Sequence, residues 1–151
     1  MSLDKYQTRA NKTQTVFTFT SEDPKDKILK RIHYSKLKIK GIRNVYNLAF
    51  GDSVEGSKDL DDLTISDNQD RDKILATVVN SVYKFSEHHP KAMIYVTGST
   101  DARTRLYRMV IAKYFDALSE IFDIKGVTQN GIFSFEKNKT YESFLITRKI
   151  I

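Results

Sequence analysis

Apolar residues alternate with polar ones in the first third of the chain and recur at three- and four-residue spacing in the middle, so strands are expected first and helices later. Residues 13–20 are rich in β-branched and aromatic side chains, with Phe17 and Phe19 on one face, and predict a strand. Residues 21–26, around Pro24, predict a turn. The run 27–40 fits a helix through Ile28 and Ile32 and a strand through Ile32 and Tyr34; the lack of a strong stop favours the strand. Residues 44–51 carry Tyr46, Leu48 and Phe50 at the two-residue period of a strand. Residues 51–62, acidic and with two glycines, read as a surface loop, followed by a short strand at 63–66.

Two helices come next. Over 70–88, Ile74, Leu75, Val78, Val79, Val82 and Phe85 trace one stripe, with Asp67, Asn68 or Asp70 available as cap and Pro90 as the stop. The compact apolar run 92–97 predicts a buried strand. A second long helix is expected over 100–122, with Tyr107, Val110, Ile111, Tyr114, Leu118 and Ile121 inward. Segments 123–128 and 132–136 flank Gln129-Asn130-Gly131, and an Asn-Gly pair is a strong hairpin signal. Residues 141–149 supply a last strand. The clustering of strands predicts an α+β fold, a mainly antiparallel sheet with two long helices packed on it, as a single domain over residues 1–151. Its core should include Val78, Val82, Val96, Val110, Ile111 and Leu118.

Composition narrows the chemistry. The absence of cysteine excludes disulfides, thiolate catalysis, iron–sulfur clusters and cysteine-ligated zinc, and suits a reducing compartment. No run approaches the roughly 18 apolar residues of a membrane helix, and Met1-Ser2-Leu3-Asp4-Lys5 lacks the apolar core of a signal peptide, so a cytoplasmic protein with no membrane partner is expected. Net charge is +6, unevenly spread. Residues 25–43 hold eight basic side chains against one acidic, whereas 52–72 hold eight acidic against two basic. The two blocks are either solvated segments in mutual attraction or, for the first, a nucleic-acid patch with Lys36, Lys38 and Lys40 as its candidates.

One junction carries a sharper signal. Residues 94–103 run from a buried strand through Thr97-Gly98-Ser99-Thr100 into a helix, whose start offers unpaired N–H groups and positive dipole. Acidic residues normally favour a first turn, yet Arg103, Arg105 and Arg108 follow within two turns. The junction from Gly98 to Arg108 is therefore a candidate anion site, built from Ser99, Thr100, Arg103, Arg105 and Arg108, with Arg103, at the edge of the inner stripe, as its principal arginine. The competing reading is structural: Ser99, Thr100 or Asp101 caps the helix, and the arginines pair with the acidic segment or Asp116. The motif is neither a P-loop nor a nucleophile elbow, since the required glycines and lysine are missing.

The remaining candidates are weaker. His88 and His89 suit the negative end of the first helix better than a metal, and His33 stands alone in the basic segment. The aspartates of 59–72 lack the ligand spacing of a calcium loop, so neither a metal nor a cofactor is expected. Phe17, Phe19, Tyr46 and Phe50 fit a core better than a base-stacking platform.

Three segments carry a family resemblance: Asn44-Val45-Tyr46-Asn47-Leu48-Ala49-Phe50-Gly51-Asp52, Leu75-Ala76-Thr77-Val78-Val79, and Thr97-Gly98-Ser99-Thr100-Asp101-Ala102-Arg103-Thr104-Arg105-Leu106-Tyr107-Arg108. Together they resemble an uncharacterised protein family of Bacteroidetes-type bacteria over nearly the whole chain. The resemblance implies a small bacterial cytoplasmic protein and brings no assigned activity. Three functions follow in order: a protein-interaction or regulatory subunit, a phosphate- or nucleic-acid-binding module, and an enzyme acting on a phosphodiester with His33 or an aspartate as base. No two acid–base groups stand in a recognised arrangement, so no catalytic residue is assigned and the balance leans away from an enzyme. Nothing in the residues sets an oligomeric state.

Overall fold

The structure, a computed structural model, describes residues 4–22, 27–53, 60–62 and 70–149. They form an α+β structure with a mostly antiparallel sheet and three helices. The chain divides into two compact units, one of Met1–Ser35 with Ala49–His89 and one of Lys36–Leu48 with Pro90–Ile151.

In the first unit, strands β1 (Arg9–Ala10), β2 (Val16–Glu22) and the first part of β3 (Lys27–Ile39) pair antiparallel in sequence order. The ambiguous run at 27–40 is thus a strand. β2 begins three residues later than the sequence pattern predicts, because Asn11 Oδ1 accepts from the N–H groups of Thr15 and Val16 at 2.9 and 3.1 Å and holds Thr13 to Thr15 in a turn. Gln14 takes the left-handed φ of 57° in that turn. Strand β4 (Ile42–Ser53) continues past Gly51, and its end pairs antiparallel with β5 (Leu60–Asp62). The surface loop expected at 51–62 is therefore strand at both ends, where ladder hydrogen bonds override the low strand propensity of aspartate and glycine. The strand expected at 63–66 lies outside the described residues.

Helix α1 (Arg71–His88) follows the expected stripe and buries Ile74, Val78, Val82 and Phe85. Asp70 occupies its N-cap position without capping it; its carboxylate instead accepts from Tyr6 Oη at 2.9 Å and from the Ser21 hydroxyl. Phe85 stacks on Tyr34 with ring centres 4.1 Å apart, and Phe17 meets Tyr34 edge-on. The Tyr34 and Ser81 hydroxyls share a hydrogen bond of 2.7 Å, and burial pushes the Tyr34 pKa well above its usual value. Phe17, Phe19 and Phe50 are core residues, as their alternation indicates, while Tyr46 is half-buried.

In the second unit the strand order is β3-β4-β6-β9-β7-β8, with β6 (Met93–Val96), β7 (Phe122–Thr128), β8 (Gly131–Ser134) and β9 (Ser143–Arg148). The pairing of β4 with β6 is parallel; β6 with β9, β7 with β9 and β7 with β8 are antiparallel. Instead of a second long helix there are two, α2 (Asp101–Lys113) and α3 (Phe115–Ile121). Tyr114 breaks the path with φ −101° and ψ 11°, and beyond it Phe115 stacks on Phe135 with ring centres 5.4 Å apart. The stripe hides the break because Ile111, Tyr114 and Leu118 are all buried and their spacing runs straight through it. Val110, expected in the core, is only half-buried. The β7–β8 hairpin turns on Gln129 and Asn130, with Thr128 opposite Gly131, and the positive φ (133°) falls on Gly131.

Candidate functional site

Register decides which loops meet in the second unit. Val96, the last residue of β6, lies opposite Phe144 near the start of β9, and Val127, near the end of β7, lies opposite Ser143. Three strand ends therefore share one end of the sheet. The segment after β6, the β7–β8 turn and the approach to β9 gather there, and two hydrogen bonds fasten them: Thr97 Oγ1 donates to the Glu142 carbonyl at 3.1 Å, and Glu142 N–H donates to the Val127 carbonyl at 2.8 Å.

Between these segments and α2 lies a cleft of about 840 Å³, lined by Thr97, Gly98, Ser99, Thr100, Asp101, Thr104, Arg105, Arg108, Thr128, Gln129, Asn130, Thr140, Tyr141 and Glu142. The volume falls in the range of small-molecule sites, roughly 300–1,000 Å³. Eight lining side chains are neutral hydroxyls or amides other than Tyr141, and Arg105 and Arg108 are balanced by Asp101 and Glu142.

The loop at 98–100 is held from both sides. Thr100 is the N-cap of α2, its hydroxyl accepting from the Arg103 N–H at 3.3 Å. Buried Thr104 reaches back to accept from the Gly98 N–H at 3.0 Å. Gly98 is required sterically: a Cβ there would stand 2.5 Å from the Thr104 nitrogen and 2.6 Å from Arg103 Cβ. On the opposite wall Gly126, inside β7, makes room for the Tyr141 ring, which a Cβ would meet at 2.2 Å. Tyr141 Oη, seated by this contact, accepts from the Glu136 N–H at 2.9 Å, and its ring packs on Phe135 and Phe144.

The predicted anion-site residues are placed unequally. Ser99, Thr100, Arg105 and Arg108 line the cleft; Arg103 does not. Arg103 is half-buried, its guanidinium donates to Ser99 Oγ at 3.2 Å, and its charge works against the burial that raises the Tyr107 pKa. It therefore braces the loop from outside the cleft. Arg108 donates to the Lys137 carbonyl at 3.2 Å. Lys36, Lys38 and Lys40 line a separate depression at the β3–β4 hairpin, in the same unit. The walls formed by Thr128, Gln129, Asn130, Thr140, Tyr141 and Glu142 had no signal in a local motif, although a glycine inside the β7 pattern marks a close approach.

The family model described as "Family of unknown function (DUF6934)" matches residues 2–149. The chain belongs to that family. No curated protein matches it. No solved structure matches it either.

Elsewhere in this DUF6934 chain the secondary candidates lie away from the cleft lining. His89 stacks on Phe85, its N–H satisfies the Phe85 carbonyl at the end of α1, and its Nε2 lies 2.7 Å from the Thr13 carbonyl oxygen. His33 sits half-buried on β3, where desolvation and then the Arg31 charge hold its pKa below the ordinary value. Among the described residues no three metal-ligating side chains converge, and no helix is long and apolar enough to cross a membrane. Most of the acidic block 52–72 lies outside the described residues.

Proposed function

We propose that this DUF6934 chain is a binding module for a small phosphate-bearing ligand that also carries hydroxyl or amino donors, of the size of a nucleotide or sugar phosphate. The observation that supports it is the cleft itself: Arg105 and Arg108 on the α2 wall face a site otherwise lined mainly by hydroxyl and amide groups, next to the start of α2. Guanidinium groups and helix-start N–H groups suit a phosphate. Asp101 and Glu142 make a bare polyanion a poor match and provide acceptors for the ligand's own donors. The interaction-subunit reading falls behind this one, because it rests on two charge blocks rather than on a formed site. A bacterial, cytoplasmic setting belongs to the same proposal, supported by the cysteine-free composition and the family resemblance.

Calorimetric titration with a panel of nucleoside monophosphates, sugar phosphates and inorganic phosphate tests the reading. A hydrogen bond to a charged group contributes about 1.5–3 kcal/mol. Removing both arginines should thus weaken the best panel member by at least about 100-fold. Arg105→Ala with Arg108→Ala should melt close to the wild type while losing that binding. No binding across the panel, or equal binding by the double variant, would refute it.

A further inference from the structure

The strongest feature outside the cleft is the tip of the β3–β4 hairpin. Strand β3 ends at Ile39 and β4 begins at Ile42, so only Lys40 and Gly41 form the turn, with Gly41 at φ 84°. Lys36, Lys38, Lys40 and Arg43 are all exposed, and no acidic residue interrupts residues 36–44. Ile39 and Ile42 are 43% and 48% exposed beside that turn. Paired with the surrounding cations, these isoleucines match a surface with phosphates at its rim and apolar methyl groups between them, as the major groove presents through thymine.

We propose that this hairpin tip binds duplex DNA, with the lysines and Arg43 on the phosphates and Ile39 and Ile42 directed at the groove. A two-stranded ribbon has a backbone spacing of about 4.8 Å, and the major groove, about 12 Å wide, admits such a ribbon. Cations on both strands of the ribbon can then meet phosphates on both sides of the groove. Apolar side chains in this position contact thymine methyl groups or base edges. The site is distinct from the cleft and does not depend on it.

The test is fluorescence anisotropy of a labelled 20-base-pair duplex with the full chain, titrated at several salt concentrations. Four phosphate contacts predict a slope of log K against log salt of about −3.6, since each contributes about −0.9. The triple variant Lys36→Ala, Lys38→Ala, Lys40→Ala should bring the slope to about −0.9, and Ile39→Ser with Ile42→Ser should lower affinity while leaving the slope unchanged. Circular dichroism checks that these exposed changes keep the fold. Arg105→Ala with Arg108→Ala should retain the wild-type slope. The proposal is overturned by no duplex binding at low salt, by an unchanged slope in the triple variant, by loss of binding in the cleft variant alone, or by association with phosphatidylserine vesicles in place of the duplex.

Discussion

At the residue scale, one glycine and one histidine carry the most testable consequences. Gly98→Ala drives a methyl group into the backbone of Thr104, which cannot move without disturbing the first turn of α2. Overpacking of this kind costs about 1–3 kcal/mol, and each kcal/mol lowers the melting temperature by roughly 2–4 °C in a chain of this size. The variant should also lose any ligand held by the 98–100 loop; wild-type melting and binding would show that the loop yields freely. His33 gives a pH signature. Its imidazole is held below the ordinary 6.5, first by desolvation and then by Arg31, so the folded chain prefers the neutral form. The unfolded chain therefore takes up the proton first as pH falls, and the stability linked to His33 is complete above about pH 6.5 and lost as pH drops toward the folded value. Denaturant unfolding from pH 8 to pH 5 should show a decline that His33→Gln flattens. Parallel curves for the two proteins would contradict the assignment.

At the element scale, periodicity exposed most of the architecture and missed what periodicity does not encode. The stripe from Ile74 to Phe85, the alternation of Phe17 and Phe19 and the apolar run of β6 correspond to observed elements. The break at Tyr114 is invisible because a one-residue departure leaves Ile111, Tyr114 and Leu118 in step. The sequence pattern starts a strand at residue 44 and marks no turn before it, whereas β4 starts at Ile42 and Gly41, at φ 84°, lets the chain reverse over two residues. Burial also separates neighbours in α2: Ile111 is buried and Val110 only half-buried. Ile111→Asp should abolish cooperative folding, because an unpaired charge in the core costs several kcal/mol out of a total of about 5–15 kcal/mol. Val110→Asp should remain folded with a lower melting temperature, and the reverse order in thermal denaturation would mean that α2 presents another face.

At the scale of the whole molecule, the junction at 98–108 was visible in the sequence as a loop followed by arginines, whereas the cleft was not. Its second wall comes from residues 128–142, well beyond the junction in sequence, placed by the long-range registers Val96↔Phe144 and Val127↔Ser143. No local pattern specifies such pairings, since a one-residue slip of β9 would move Thr140 to Glu142 out of the site and turn its faces over. In the folded chain Arg105 and Arg108 line the cleft, whereas Arg103, which sequence projection favours, lies outside it on Ser99.

The most direct test of this cleft is a two-dimensional amide NMR titration of the folded chain with the tightest ligand of the phosphate panel. The account predicts shifts that saturate together at Gly98, Ser99, Thr100 and Thr104, at Gln129 and Asn130, and at Tyr141 and Glu142, with residues of the first unit unmoved. Saturating shifts confined to other residues, or none at millimolar ligand, would contradict it.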